Sequence, residues 1–520
     1  MATGTEPHWP REIELKLALA PGDQDAVLDH PLVRRRLAAA PRQERLHSRY
    51  FDTPDRALRA RDATLRIRRT RRGFVQTLKL ADEPRGALAD RIEWSCPVED
   101  FAPRPERLPP ELASRAGLNP GIPLEPVFET RILRRTARLR WRESPGGRVE
   151  LELALDRGRI LAGARREPVS ELELELRHGP AAAAFAFAER LGEALPLRPS
   201  SADKAARGHL LDGAPPPSYR AVRPPLEPSM SSAAAFRRLL RAILVHWLAS
   251  DTAVRYGRET EAVHQLRVAL RRGLVLFGLF RTVLPVADRE RLRRRTKTIL
   301  AGLAEMRELD VVRAEFLETV PAAGEDAAAL IAPLELRRAK VRNAVLALLE
   351  SPAYAAFLLE LAAWLEREGW REHADAALLL RQELPVAEHA SRVLGRCGRR
   401  LARACRHLDR LDVEGRHELR LAAKRLRYAI DFFAPLYPAG RTAAWLRRLR
   451  RLQDLLGEDS DFASLRPVLD RLLAEAPRRD RERLASAAGF VLGWHRHRLA
   501  ILPRRLEKEV AKLRALRPPW

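Results

Sequence analysis

The chain has 520 residues, 46% hydrophobic and 32% charged, with a formal net charge of +26. That length exceeds one core and predicts two or three globular domains. No apolar run exceeds GLVLFGLF at 273–280, which excludes a membrane-spanning helix, while the positive charge predicts polyanionic partners such as nucleic acid, an anionic surface or phosphate-rich ligands.

The amino terminus, MATGTEPHWPREIE, lacks the apolar stretch of a signal peptide. Three cysteines, Cys96, Cys397 and Cys405, form no metal-type pair, and this usage fits a reducing cytoplasm. The charge is uneven. Residues 1–213 hold 38 Lys and Arg against 32 Asp and Glu, so +20 of the +26 lies beyond residue 213.

Residues 1–212 read as strands. EIELKLAL (12–19), TLRIRRT, FVQTLKLA, RIEWSCPV, RVELELAL and ELELELRH alternate in polarity, with RRGF and DRGR as hairpin punctuation. Side chains alternate across a strand, so Glu12, Glu14 and Lys16 share a face. So do Arg66 and Arg68, Arg91 and Glu93, Glu150 and Glu152, and Glu171, Glu173 and Glu175. A single such face is usually solvated. If the sheet closes, carboxylates would converge with cations inside it, and each would offset the burial of the other. Carboxylates of that kind suit Mg²⁺ or Mn²⁺, and Arg and Lys suit phosphate oxygens.

This stretch resembles the CYTH family. The signatures are EIELK (12–16), YFDTPDRALRARDATLRIRR (50–69), QTLK (76–79), RIEW (91–94), VFETRILRR (127–135), VELELALDRG (149–158) and DKAARG (203–208). The resemblance implies an eight-stranded antiparallel β-barrel whose lumen binds a triphosphate and a divalent metal. It implies a metal-side set of Glu12, Glu14, Glu93, Glu150, Glu152, Asp156, Glu171 and Glu173. Phosphate ligands would be Lys16, Arg66, Arg68, Lys79, Arg131, Arg134 and Lys204, with Arg134 preferred over Arg131. The catalytic set would be Glu12, Glu14, Lys16, Glu171 and Glu173. One departure stands out: the family's Ser before the last Lys is Asp203 here, a negative charge beside a phosphate ligand.

GAPPPSYRAVRPPLEP, 213–228, reads as a proline-rich linker. Beyond it, residues 229–520 read as helices, with breaks near Pro285, Pro321, Pro333, Pro352, Pro385, Pro435, Pro467 and Pro503. VHQLRVALRRGLVLFGLF at 263–280 repeats as RHELRLAAKRLRYAIDFF at 416–433, an offset of 153. Each copy has an echo, LAEMRELDVVRA (303–314) and LQDLLGEDSDFA (452–463), which predicts half-domains of about 230–384 and 385–520. On a helix, His264, Arg267 and Arg271 form one stripe flanked by Arg272; His417, Arg420, Lys424 and Arg425 repeat it. Zinc would want further His, Cys or carboxylate ligands, so hydrogen bonds to phosphate suit these residues better. Asp310 and Asp461 are expected to anchor the basic residues, and His407, His495 and His497 to lie on the surface.

This half resembles the CHAD family, which implies two pseudo-symmetric four-helix bundles whose paired basic helices bind polyphosphate. The fold class expected is therefore α+β multidomain, a strand-rich barrel followed by an all-α domain, of bacterial type. The function expected is metal-dependent hydrolysis of inorganic triphosphate beside a polyphosphate-binding domain. A non-catalytic polyphosphate-binding protein, or a phosphatase of an organic triphosphate such as thiamine triphosphate, stays open. No nucleic-acid motif accompanies the charge, and oligomeric state is not legible.

Overall fold

The computed structural model describes residues 9–81, 88–119, 121–143, 147–214, 220–257, 260–320, 325–406, 413–499 and 502–520. Pro321, His407 and residues 215–219 of the linker lie outside them. The chain forms two compact units. The first comprises residues 1–220, 244–258 and 350–369, and the second holds 221–243, 259–349 and 370–520.

The first unit is built on strands β1 (Arg11–Ala18), β2 (Arg42–Asp52), β3 (Ala63–Thr70), β4 (Gly73–Ala81), β5 (Leu88–Val98), β6 (Glu125–Glu143), β7 (Gly147–Ala162), β8 (Arg165–His178) and the short β9 (Arg198–Pro199). Their order is β5-β4-β3-β2-β6-β7-β8-β1-β9, and β1 also pairs with β5. Eight antiparallel strands therefore close into a ring. Gly73 (φ 118°) completes the β3–β4 hairpin and Gly163 (φ 56°) the β7–β8 hairpin, positions where only glycine is unstrained.

Alternation places Leu151, Leu153 and Leu155 of β7, and Leu172 and Leu174 of β8, on the outer face, where all are buried. The alanine-rich helix Ala181–Gly192 packs on β8 and β1 and buries Phe185, Phe187 and Leu191. The helix Pro352–Glu366 covers Ala181–Gly192 and β9 in turn. Its Tyr354 donates to Asp251 at 2.9 Å and accepts from the Trp247 indole at 2.9 Å. Fully burying a Trp, a Phe or a Leu is worth roughly 1.5–3 kcal/mol each, so these helical segments are part of the sheet's own core.

The second unit is helical. Pro285 and Pro385 sit just before the helices Val286–Gly302 and Val386–Ala404, and Pro352 and Pro503 lie in first turns, where no donor is needed. Pro333 breaks nothing, because it lies in the first turn of Ile331–Glu350. Pro467 is the clear correction: the helix Ala439–Glu475 runs through it. The missing donor costs about 3 kcal/mol. Leu465, Val468, Leu469 and Leu472 keep one buried stripe across the proline, and this offsets the cost. His495 is also corrected. It is buried, bonds the Phe316 carbonyl at 3.0 Å and packs edge-on to the Phe316 ring, while His497 is exposed as expected. Among the described residues, no single helix is long and apolar enough to cross a membrane.

Candidate active site and basic centre

The ring register decides which charged residues meet. Lys16 of β1 faces Glu173 of β8, Asp156 of β7 faces Glu171 of β8, and Arg134 of β6 faces Asp156. Lys79 of β4 faces Glu93 of β5. A polar cavity is lined by Glu12, Glu14, Lys16, Arg66, Arg68 and Lys79, together with Arg91, Arg134, Glu173 and Lys204.

Lys16 Nζ lies 2.5 Å from Glu14 and 2.9 Å from Glu173. Arg134 bonds both oxygens of Asp156 at 2.7 Å and Glu173 at 2.5 Å. Lys204 Nζ touches Asp156 at 2.5 Å, Glu173 at 2.9 Å, and Glu171. On the far wall Lys79 pairs with Glu12 and, at 3.4 Å, with Glu93. Arg66 lies 3.8 Å from Glu93, and Tyr50 lines the same cavity. Arg68 bonds only the Ser48 hydroxyl, at 3.2 Å, and among the described residues has no carboxylate partner. Burial, with Arg66 and Arg134 beside it, lowers its pKa to about 10.

The carboxylates are not equivalent. Burial pushes Glu173 up, but Lys16, Lys204 and Arg134 together hold it well below the usual range. Its neighbour Glu171 is raised by burial and by Glu173, against the pull of Lys204. Two adjacent carboxyls with pKa values pushed apart can divide acid and base roles. Oxygens of Asp156, Glu171 and Glu173 all lie within 4.8 Å of one another in a buried group. That hard oxygen set fits a divalent cation, and Lys204 now supplies positive charge at its centre.

Asp203 resolves the departure seen in the sequence. It caps the helix Lys204–Leu211 by accepting from the Ala206 N–H at 2.7 Å, and it pairs with Arg91. Burial raises its carboxyl, but Arg91 and Lys16 outweigh that and hold it well below the usual range. The extra charge is thus neutralised within the site. Arg91 was missed as a site residue although RIEW places it on the face of Glu93. Glu175, two residues beyond Glu173, was missed for the same reason.

Glu175 faces Glu14 on one side and Glu152 on the other. Burial raises its pKa to about 7; Arg177 opposes this and Glu12, Glu152 and Glu14 add to it. The folded carboxyl therefore holds its proton up to about pH 7, whereas an unfolded one releases it near 4.3. Stability falls as pH rises through that window. Glu175→Gln is expected to flatten the fall and to exceed the native protein in stability above pH 7, read from urea midpoints against pH. Parallel curves for the two proteins would refute it.

The ring does not bring in every expected residue. Arg131, at odd parity to Arg134, points to the outer face, where its side chain is 63% exposed and pairs with Glu129 at 2.8 Å. Glu150, near the end of β7, is held by Arg140 at 3.1 Å and Arg148 at 2.7 Å instead. Glu152 lies between, 3.2 Å from Arg177.

In the second unit the two motif helices, Thr260–Leu279 and Val413–Phe433, pack together. Arg271 faces Arg420 and Arg307, and Lys424 faces Arg271, Arg420 and Arg427. His264 and Arg267 join the group; burial, then Arg307, lowers His264 to about 4, and burial, then Arg271, lowers Arg267 to about 10. Burial and the same guanidinium groups depress Lys424 to about 7. Arg307 and Arg427 were missed; Arg307 lies in the echo segment, three residues before Asp310.

His417, Arg272 and Arg425 are not brought into this centre. His417 is exposed. Arg272 is buried, pairs with Asp431 and stacks 4.6 Å over Phe432, and Arg425 donates to the Gly278 carbonyl at 3.1 Å. Asp461 lies 3.8 Å from Arg420, as an anchor should, but Asp310 bonds Arg338 at 2.7 Å rather than the motif arginines.

Comparison with known proteins agrees with this division. The CYTH domain model matches residues 10–209 and the CHAD domain model residues 238–470. Over 207 residues the chain is 32% identical to an inorganic triphosphatase of Haemophilus influenzae, covering 39% of this chain and 55% of that protein, so it spans about half of that relative. The CHAD domain of Ricinus communis superposes with a TM-score of 0.50 at 28% identity, covering 58% of this chain and 98% of that one. PptA from Streptomyces chartreusis gives 0.40 at 17% identity, covering 54% of this chain and 99% of its own. A charged ring of eight strands followed by a duplicated basic helical region identifies the chain as a CYTH–CHAD protein, an amino-terminal CYTH domain fused to a carboxy-terminal CHAD domain.

Proposed function

We propose that the first unit hydrolyses inorganic triphosphate with Mg²⁺ or Mn²⁺ and that the basic centre of the second binds polyphosphate. One observation carries the hydrolytic reading: Lys16, Arg134 and Lys204 share Glu173 inside a closed ring whose other cations, Arg66, Arg68 and Lys79, face the same cavity. The triphosphatase relative supports it.

Cleaving a P–O–P bond needs charge neutralisation on the transferred phosphoryl group and a positioned water, not a protein nucleophile. Arg66, Arg68 and Lys79 take phosphate oxygens along one wall, and Lys16, Arg134 and Lys204 take those of the terminal phosphate on the other. Asp156, Glu171 and Glu173 are the residues to hold the divalent cation, which when bound neutralises charge on the phosphates. Glu171, beside Lys204 in that set, accepts the proton of the attacking water. Water oxygen bonds to the terminal phosphorus as the bridging P–O bond breaks, and orthophosphate and pyrophosphate leave. Arg68, the tunnel guanidinium without a carboxylate partner, gains most from an anion. The three unpaired cysteines support a reducing, cytoplasmic setting.

The test is phosphate release from tripolyphosphate, ATP, thiamine triphosphate and long-chain polyphosphate, each with Mg²⁺ and with Mn²⁺. Release is expected to be fastest from tripolyphosphate. No release from any substrate would leave a binding-only ring; faster release from thiamine triphosphate would move the reading to an organic substrate.

A further inference from the structure

The outer face of the same ring carries a second arrangement of positive charge. In register across four strands, Arg69 of β3 faces His47 of β2, His47 faces Arg131 of β6, and Arg131 faces Arg159 of β7. At about 4.8 Å per strand this basic row runs roughly 14 Å across the sheet. Arg45 and Arg157 lie two residues along, opposite Leu133 from either side. These residues, with Arg71 and Arg166, line a cleft of about 1010 Å³.

Like charges directly opposite on neighbouring strands are destabilising. Glu129, which pairs with His47 at 2.8 Å and with Arg131 at 2.8 Å, is the one carboxylate in the lining. Among the described residues, Arg45, Arg69, Arg157, Arg159 and Arg166 have no carboxylate within ion-pair distance. On the neighbouring part of β6, β7 and β8, by contrast, Arg140, Arg148 and Arg177 are matched by Glu150, Glu152 and Glu175. Gly158 lies at the floor of the cleft, where an added Cβ would meet the Arg131 carbonyl at 2.0 Å, so β6 and β7 approach closely beneath the arginines.

We propose that this outer cleft is a docking site for a long phosphate chain, separate from the tunnel and from the helical basic centre. It rests on the reading of the chain as a phosphate-polymer protein. The lining holds no Phe, Tyr, Trp, Asn or Gln, so its side-chain N–H donors are guanidinium groups and one imidazole, which suit phosphate oxygens. A basic row at strand spacing follows an extended polyanion laid across the strands. Arg131, absent from the tunnel, acts here.

The test uses the full chain carrying Arg267→Gln, Arg271→Gln and Arg420→Gln, which weakens the helical centre. Adding Arg69→Gln, Arg131→Gln and Arg159→Gln is expected to weaken binding of long-chain polyphosphate by a further tenfold or so, and to lower the slope of log affinity against log salt by about 2. Tripolyphosphate turnover should stay at the level of the parent. Glu129→Gln, which removes the single negative charge, should tighten binding, whereas a merely structural cleft would not respond that way. Equal affinity of parent and arginine variant overturns the proposal, and so does duplex DNA displacing polyphosphate at equal phosphate concentration, which would make the cleft a nucleic-acid surface. A native protein that releases no phosphate from tripolyphosphate would sink the hydrolytic reading alone, because the cleft is judged by binding.

Discussion

Replacing Glu171 and Glu173 together by alanine is expected to lower tripolyphosphate turnover by at least roughly a hundredfold, the scale on which a preorganised electrostatic group is lost. Glu173 is the shared partner of Lys16, Arg134 and Lys204, and Glu171 is the second partner of Lys204. Without them Glu14 and Asp156 are the carboxylates left in ion-pair contact with these three buried cations. Breaking a buried pair by removing one member costs about 3–5 kcal/mol, so the variant should also unfold at lower denaturant. Glu173→Gln separates the effects, because it keeps shape and hydrogen bonding but not charge. Stability held by the depressed Glu173 carboxyl is present above the unfolded value near 4.3 and lost as pH falls below it, so the native and Gln proteins should converge in strong acid. Turnover unchanged in the double variant would exclude these carboxylates from the chemistry.

Arg267→Gln, Arg271→Gln and Arg420→Gln in one chain are expected to weaken polyphosphate binding roughly a hundredfold, since each removes a partly desolvated charge-assisted hydrogen bond. Lys424 adds a pH signature. Held near 7 by burial and by Arg271, Arg420 and Arg427, it loses its charge across the physiological range. Affinity should therefore fall as pH rises from 6 to 8.5, and Lys424→Arg should abolish that dependence while keeping affinity. Stability runs the other way. The folded lysine releases its proton near 7 and the unfolded one near 10.4, so folding becomes more favourable as pH rises between them. Calorimetric titration at several pH values tests the first, and urea midpoints test the second. Binding without pH dependence in the native protein would place the polyanion elsewhere.

Period-two alternation in EIELK, LRIR and ELEL placed side chains on the correct face, and ring closure then turned a wet-looking face inward. What alternation could not supply was register along a strand. TRILRR offers three arginines, Arg131 and Arg135 of one parity and Arg134 of the other, and only pairing with β7 settles that Arg134 meets Asp156 while Arg131 looks outward. Asp203 was legible as a charge but not as an ion-pair partner, because Arg91 lies 112 residues away. In the helical half, duplication located the basic helices, yet helical spacing alone could not separate Arg271, which faces the centre, from Arg272, which Asp431 and Phe432 bury. Pro467 misled because proline is a local signal, and the buried leucine stripe around it is a tertiary one.

The first unit is not contiguous in the chain: segments 244–258 and 350–369 complete it. During synthesis the ring strands emerge long before Trp247, Tyr354 and Phe357, which are core residues of that unit. At about 5–20 residues per second, the interval between residue 213 and residue 369 lasts roughly 8–30 seconds. For that time the faces of Ala181–Gly192 and β9 that the helix Pro352–Glu366 will cover lack it. A nascent chain stalled before residue 369 is therefore the stage at which a chaperone has most to bind, and a truncation at the proline-rich linker would fix the protein there.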